Sequence, residues 1–133
     1  MPPRIAKPAA LAVGVLLILL CIAGFAERWT TGRNDVVPTD LWQDLGHLAI
    51  GAYLVVMSIQ GEAASASALG ISAFLCAAFA GLSLYQLGGS SQALLFERTV
   101  WVSKTSCWLH LALAAAQSGA AGMNTSKRQL FYK

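Results

Sequence analysis

Charged residues are scarce in this chain, and their scarcity excludes most classes of soluble protein. Only 11% of its 133 residues are charged and 56% are hydrophobic, whereas a soluble domain usually has about 25% charged residues. The chain is also too short for a soluble catalytic domain beside several membrane spans. The composition predicts an integral membrane protein, with the lipid bilayer and other membrane-protein subunits as partners.

Sequence patterns of known catalytic and metal chemistry are lacking as well. The chain has no serine–histidine–acid set, phosphate-binding loop, HExxH motif or EF-hand pattern. Cys21, Cys76 and Cys107 show no CxxC spacing, so neither a disulfide framework nor a zinc site is indicated. The nine basic residues lie mainly at the termini, where they favour membrane orientation over nucleic-acid binding. We therefore expect no enzyme, no metal site and no nucleic-acid partner.

Four uncharged, mostly apolar stretches are present instead. A helix needs about 20 residues to cross the hydrocarbon core, and these stretches predict spans at residues 8–26, 40–60, 65–87 and 103–122. Thr39 or Asp40 can cap the second span, and the glycines of 88–91 end the third. A polar tail, 123–133, follows. The predicted fold class is all-α: a single membrane domain built as an up-down four-helix bundle.

The first apolar stretch has a second interpretation. Arg4 and Lys7 precede it, and residues 24–26 would make a small-residue cleavage site, so the segment also resembles a signal peptide. We favour a retained first span, because Leu20 before Cys21 argues against a lipoprotein signal.

Basic residues and tryptophans predict the orientation of the bundle. Placing the N-terminus inside puts five basic residues on the inner side and four on the outer side, which favours N-in/C-in. The tryptophans fall near the outer span ends, as in an aromatic belt: Trp29, Trp42, Trp101 and Trp108. We expect the C-terminal tail to contact a partner subunit or anionic headgroups, through Lys127, Arg128, Phe131 and Tyr132.

Small and polar residues recur at helical spacing on the last two spans. Small residues let helix backbones approach closely in lipid, and we predict helix packing at Ala73, Ala77, Gly81, Ala112, Ala116 and Ala120. Polar side chains prefer the bundle interior to lipid, which predicts inward faces containing Ser65, Ser72, Ser83, Gln86, Ser103, Ser106, His110 and Gln117.

His47 and His110 are the only histidines, and each lies about seven residues into its span. Because the second and fourth spans run in the same direction, both imidazoles should lie in the outer half of the bundle. Their candidate hydrogen-bond partners and polar neighbours are Gln43, Asp44, Ser106 and Gln117. Gly51, one turn after His47, leaves a surface where a ring or another helix can lie.

Three interpretations of the histidines stay open. They can be neutral, hydrogen-bonded groups that hold the two helices together. They can be axial ligands of a tetrapyrrole, either the iron of haem b or the magnesium of a chlorophyll-type pigment. They can also serve a proton relay or catalysis, although no second carboxylate at membrane depth continues a relay. An ionisable residue within a membrane is a functional candidate in each case.

The segment Trp108-Leu109-His110-Leu111 resembles the closing helix of an uncharacterised bacterial family of four-helix membrane proteins, domain of unknown function 4383. Residues 45–51 are similar to that family's second helix, where a histidine is followed four residues later by a glycine. The resemblance implies a four-helix membrane fold and no established activity, and the expected location is a bacterial inner membrane or a photosynthetic membrane. Family members tend to have a second histidine at the position of Gln43 and an acidic residue near Ser106 and Cys107, so this chain departs from the pattern there.

The expected function is that of a small structural or accessory transmembrane subunit in a larger respiratory or photosynthetic complex. The alternative is a tetrapyrrole-binding subunit with His47 and His110 as axial ligands. A transporter or sensor is less favoured, because transport sites usually use broken helices and buried charges.

Overall fold

Four long helices make up most of the described chain. The computed structural model describes residues 4–32, 40–90, 92–95 and 100–125. In chain order the elements are α1 (Ala6–Thr31), α2 (Leu41–Gln60), α3 (Glu62–Leu87), β1 (Gln92–Leu95), β2 (Val100–Ser103) and α4 (Lys104–Thr125). The prediction of four helices is confirmed.

Two of these helices, α1 and α3, are long and apolar enough to cross a membrane. The other two are not among the helices that length and composition identify as able to cross, and each carries a buried polar face. On α2 this face contains Gln43, Asp44 and His47, and on α4 it contains Ser106 and Gln117; all five residues are buried. A hydropathy average counts such residues against a span even where they point into protein rather than lipid.

Helix α1 extends five residues beyond the predicted end at residue 26. The charged pair Glu27 and Arg28 does not end it. The hydroxyl groups of Thr30 and Thr31 donate to the Ala26 and Glu27 carbonyls. Gly32 closes the helix with a left-handed backbone, φ 67°.

Helix α2 begins and ends close to the predicted residues. The Asp40 carboxylate accepts a hydrogen bond from the backbone N–H of Gln43 at 2.8 Å, which is the N-cap arrangement expected from the sequence. Gly61 alone separates α2 from α3, and its φ of 121° lies in a region that favours glycine.

The connection between α3 and α4 contains a β-hairpin, which the sequence analysis did not predict. Strands β1 and β2 pair antiparallel, with Gln92 opposite Ser103 and Leu95 opposite Val100. Val100 and Val102 are buried against Leu87 at the end of α3 and Cys107 in the first turn of α4. The hairpin therefore covers one end of the bundle.

Short connections and end-to-end contacts define the up-down arrangement. Helix α1 packs mainly on α2 and α3 mainly on α4, while α1 also contacts α3. At one end of the bundle, the Glu62 carboxylate accepts hydrogen bonds from the backbone N–H groups of Ala6 and Lys7 at 2.6 and 3.1 Å. At the other end, Arg28 near the end of α1 contacts Asp44 near the start of α2. The N-in/C-in orientation stays a prediction.

The surface that Gly51 leaves open is filled by another helix. A Cβ atom added to Gly51 would lie 2.8 Å from the carbonyl oxygen of Gly14, so the backbones of α1 and α2 are in direct contact there. No space for a bound ring remains on that face of α2.

Candidate functional site

The side chains of His47 and His110 meet across the bundle. Their ring centroids are 5.6 Å apart and their planes differ by 19°, a stacked arrangement. The two rings therefore lie at the same level, as the up-down topology predicts. Helical spacing predicts that common level, but it does not predict that the rings stack directly on each other.

The orientation of His110 follows from a contact on its own helix. Its Nδ1 atom lies 2.7 Å from the backbone carbonyl oxygen of Ser106, one turn earlier. Since a carbonyl oxygen only accepts, Nδ1 carries the proton and donates it. The Nε2 atom is then the acceptor of this neutral imidazole. The Phe79 ring packs against His110 at a centroid distance of 4.8 Å.

His47 is held differently. Its side chain is only 8% exposed, and its Nδ1 atom has no hydrogen-bond partner among the described residues. Asp44, three residues earlier, was predicted as a partner for an imidazole nitrogen. Its recorded bond goes to another helix, to Arg28. A buried nitrogen of His47 is thus available for a bond that the described protein atoms do not supply.

Arg28 and Asp44 form the ion pair nearest to the histidines. Arg28 Nη2 lies 2.5 Å from Asp44 Oδ2, and the carboxylate is fully buried while the guanidinium side chain is 29% exposed. The second oxygen, Oδ1, has no partner in the described structure. A buried charge needs its partner far more than an exposed one does, so this pair fixes the end of α1 against the start of α2.

A cavity of about 240 Å³ contains both imidazoles in its wall. Its remaining lining is mostly apolar and comes from α1, α2 and α3: Leu17, Trp42, Gln43, Gly46, Ile50, Leu75, Cys76 and Phe79. Trp42 and Leu75 are themselves exposed, so the cavity opens to the outer surface of the bundle between α2 and α3.

The remaining predicted neighbours of the histidines are buried. Gln43 lines the cavity beside His47. Gln117 is fully buried two turns beyond His110, and together with Ser72 it lies against the thiol of Cys76. Ser106 contributes its carbonyl to His110, while its own hydroxyl lies 3.5 Å from Nδ1. The polar face predicted on α4 thus points into the bundle, and on α3 the exception is Gln86, which is exposed.

The small residues predicted to pack within the bundle divide into two groups. Ala73 and Ala120 are buried. The other four are exposed in this chain, and helix packing at them stays a prediction: Ala77, Gly81, Ala112 and Ala116. The buried face of α3 instead contains three of its serines and Cys76, because polar side chains are more stable against protein than against lipid. The predicted tail contacts Lys127, Arg128, Phe131 and Tyr132 lie outside the described residues.

The cavity is small for the cofactors considered from the sequence. Pockets for drug-sized ligands measure roughly 300–1,000 Å³, so the helices would have to separate before a tetrapyrrole could enter between the imidazoles. In the described ranges, no cluster of three or more histidine, cysteine, aspartate or glutamate side chains could hold a metal ion. Axial ligation of a tetrapyrrole by His47 and His110 stays a prediction.

Several residues of this site were not predicted as part of it. Arg28 was counted only as a basic residue of the outer loop, although one arginine and one aspartate flanking the first connection were a usable signal. Trp42 was placed in an aromatic belt rather than in a cavity wall. Phe79 gave no signal, because one aromatic residue in an apolar span resembles any other lipid-facing or core residue.

No protein-family model, curated protein or solved structure matches this chain. The resemblance to the family of uncharacterised four-helix membrane proteins therefore stays a prediction from the short motifs around His47 and His110.

Proposed function

We propose that this protein is a small, non-catalytic accessory subunit that spans the membrane and belongs to a larger respiratory or photosynthetic complex. The observation that carries the membrane location is the apolar exterior of the bundle. Large apolar side chains cover the outside, while a carboxylate, a histidine, glutamines and serines are buried among small and apolar residues. Such a surface is stable in lipid and prone to aggregation in water.

The exposed aromatic residues support the same location. Trp29, Trp42 and Trp108 are all exposed, and all lie at the end of the bundle that contains the Arg28–Asp44 pair. Tryptophan rings at one level of a bundle are typical of a membrane–water interface. In the proposed orientation this end faces outward.

The exposed small residues support a partner subunit. Ala77 and Gly81 on α3, and Ala112 and Ala116 on α4, leave shallow surfaces that nothing in the described chain covers. In lipid, such surfaces allow a second helix to approach closely. Van der Waals packing then stabilises the association, because apolar side chains gain little by leaving equally apolar lipid. We therefore assign these four residues to contacts between subunits.

Extraction and native electrophoresis test this proposal. The protein should stay in the membrane pellet after a carbonate wash and should comigrate with a large assembly after extraction in mild detergent. Ala77→Leu should release it from the assembly, whereas Ala52→Leu should not, because residue 52 is also exposed but lies on α2, away from the small residues of α3 and α4. Release by carbonate would contradict the membrane location, and a free monomer in mild detergent would contradict the subunit role.

A tetrapyrrole-binding subunit is the second candidate. One observation favours it, namely that both imidazoles line the same cavity. A Soret band in the purified protein that is lost in both His47→Ala and His110→Ala would establish this function, and a colourless, stable protein would exclude haem.

A further inference from the structure

We propose that the cavity lined by His47 and His110 binds the head group of a lipid-soluble quinone, with the ring inside and the tail in the membrane. The proposal rests on the membrane location given under Proposed function, because such a ligand reaches the cavity only from lipid. It does not require the protein to catalyse a reaction.

The size of the cavity selects a single small ring. Its volume of about 240 Å³ corresponds to roughly eight water molecules at ~30 Å³ each. One six-membered ring with two oxygen substituents fits within that volume, and a haem-sized tetrapyrrole exceeds it. The apolar wall and the faces of Trp42 and Phe79 suit a flat ring, since aromatic groups gain by offset or edge-to-face contacts.

The hydrogen-bonding groups in the wall select oxygen substituents. Nδ1 of His47 is buried without a partner in the described structure, and a buried polar atom left unpaired is unfavourable. His110 donates from Nδ1 to the Ser106 carbonyl, which leaves Nε2 as an acceptor. A quinone carbonyl can accept from an imidazole N–H of His47, and the reduced quinol hydroxyl can donate to His110.

The position of the opening selects a lipid-soluble ligand. The cavity wall reaches the exterior at Trp42 and Leu75, which are both exposed on the outside of the bundle. In a membrane this opening extends from the interface at Trp42 to the acyl chains beside Leu75, which lies in the middle of α3. A ring entering there can leave an isoprenoid or alkyl tail between α2 and α3, in contact with lipid.

Gly46 offers a way to close the cavity without disturbing the helices. It lies in the cavity wall, and a Cβ atom added there meets no atom within 4 Å. Gly70 on α3 is the matched control, because it is exposed and also has open space for a Cβ atom. Leucine at either position makes the same change of side chain, but only at residue 46 does it occupy the cavity.

The experiment measures binding of a decyl-substituted benzoquinone to the full chain in lipid nanodiscs. Trp29→Phe, Trp101→Phe and Trp108→Phe together leave Trp42 as the only tryptophan, and its fluorescence should be quenched in a saturable manner. Gly46→Leu should weaken binding at least tenfold, and Gly70→Leu should not change it. His47→Phe keeps an aromatic ring at that position and removes the hydrogen bond, and it should weaken binding about threefold to tenfold.

Four outcomes would overturn the proposal. The first is quenching that never saturates, and the second is an equal effect of the two leucine variants. The third is equal competition by decylbenzene, which has the ring and tail but no oxygens and would indicate a merely apolar cleft. The fourth is a Soret band in the purified protein, which would assign the site to a tetrapyrrole. The protein can resist carbonate and comigrate with its assembly and still show one of these outcomes. In that case the quinone site is contradicted and the subunit function is not. Loss of membrane integration would contradict both.

Discussion

Gly14 and Gly51 place the backbones of α1 and α2 in direct contact. A Cβ atom on Gly14 would lie 2.8 Å from the carbonyl oxygen of Gly51, and the reverse distance is also 2.8 Å. This reciprocal contact explains why α1 and α2 pack along one another closely. It also brings the end of α1, with Arg28, next to the start of α2.

The first prediction concerns this contact. Gly14→Ala and Gly51→Ala should each destabilise the bundle by about 1–3 kcal/mol, because backbone atoms cannot move away as a flexible side chain can. Thermal unfolding in detergent micelles would measure the loss. Gly119→Ala on α4 is the control, since it has open space for a Cβ atom and should be neutral or slightly stabilising. Equal stability of all three variants would contradict the close contact.

The second prediction concerns the start of α1. The Glu62 carboxylate accepts from the N–H groups of Ala6 and Lys7, so it caps α1 from the first turn of α3. Glu62→Ala should cost about 1–2 kcal/mol, the usual loss for a removed helix cap. Lys7→Ala should have little effect, because only the backbone of that residue takes part. Similar shifts of the unfolding midpoint in Glu62→Ala and Lys7→Ala would contradict a stabilising role of the Glu62 carboxylate as a helix cap.

The third prediction concerns the buried ion pair. Arg28→Met leaves the fully buried Asp44 carboxylate without its partner and should cost about 3–5 kcal/mol. Adding Asp44→Leu to that variant should restore part of the stability, because no unpaired charge then remains. A double-mutant cycle measures this coupling. Additive losses in the cycle would mean that the two side chains do not interact in the folded protein.

The fourth prediction concerns the hairpin. Val102 is fully buried in the cluster that joins β2 to α3 and α4. Val102→Ala should therefore destabilise the folded protein by about 1–3 kcal/mol. Val56→Ala on α2 removes the same atoms from an exposed position, where the loss should be below about 0.5 kcal/mol. Urea or detergent titrations would separate the two, and equal losses would contradict the packing of the hairpin.

The helices were predictable from local signals, and the parts that were not depend on contacts between elements. Asp40 and Gly61 mark the ends of α2 through cap and turn chemistry that involves only neighbouring residues. The predicted end of α1 is too early, because the charges of Glu27 and Arg28 indicate contact with water, although Arg28 pairs with a carboxylate on another helix. The hairpin was missed because its strands are short and its burial depends on Leu87 and Cys107.

The sequence predicts how far along the bundle the two histidines lie. It does not predict how each helix is rotated about its own axis. Seven residues from the start of each span put His47 and His110 at the same level, about 10 Å along the helix axis. Packing decides the rotation of each helix about its axis. The backbone contact of Gly14 with Gly51 sets the rotation of α2, and burial of the polar residues of α4 sets the rotation of that helix. The small-residue stripes likewise do not show which helix packs on them, since Ala77 and Ala112 are spaced for packing and are exposed in this chain.

The most direct test of the central claim is the side from which each end of the bundle can be labelled. In a protein whose native cysteines are replaced by alanine, Thr30→Cys and Gln60→Cys place one thiol at each end, both at exposed positions. With a membrane-impermeant maleimide, Thr30→Cys should react in intact spheroplasts and Gln60→Cys only after permeabilisation. The opposite pattern would reverse the orientation, and labelling of both positions from the same side would contradict a bundle that spans the membrane.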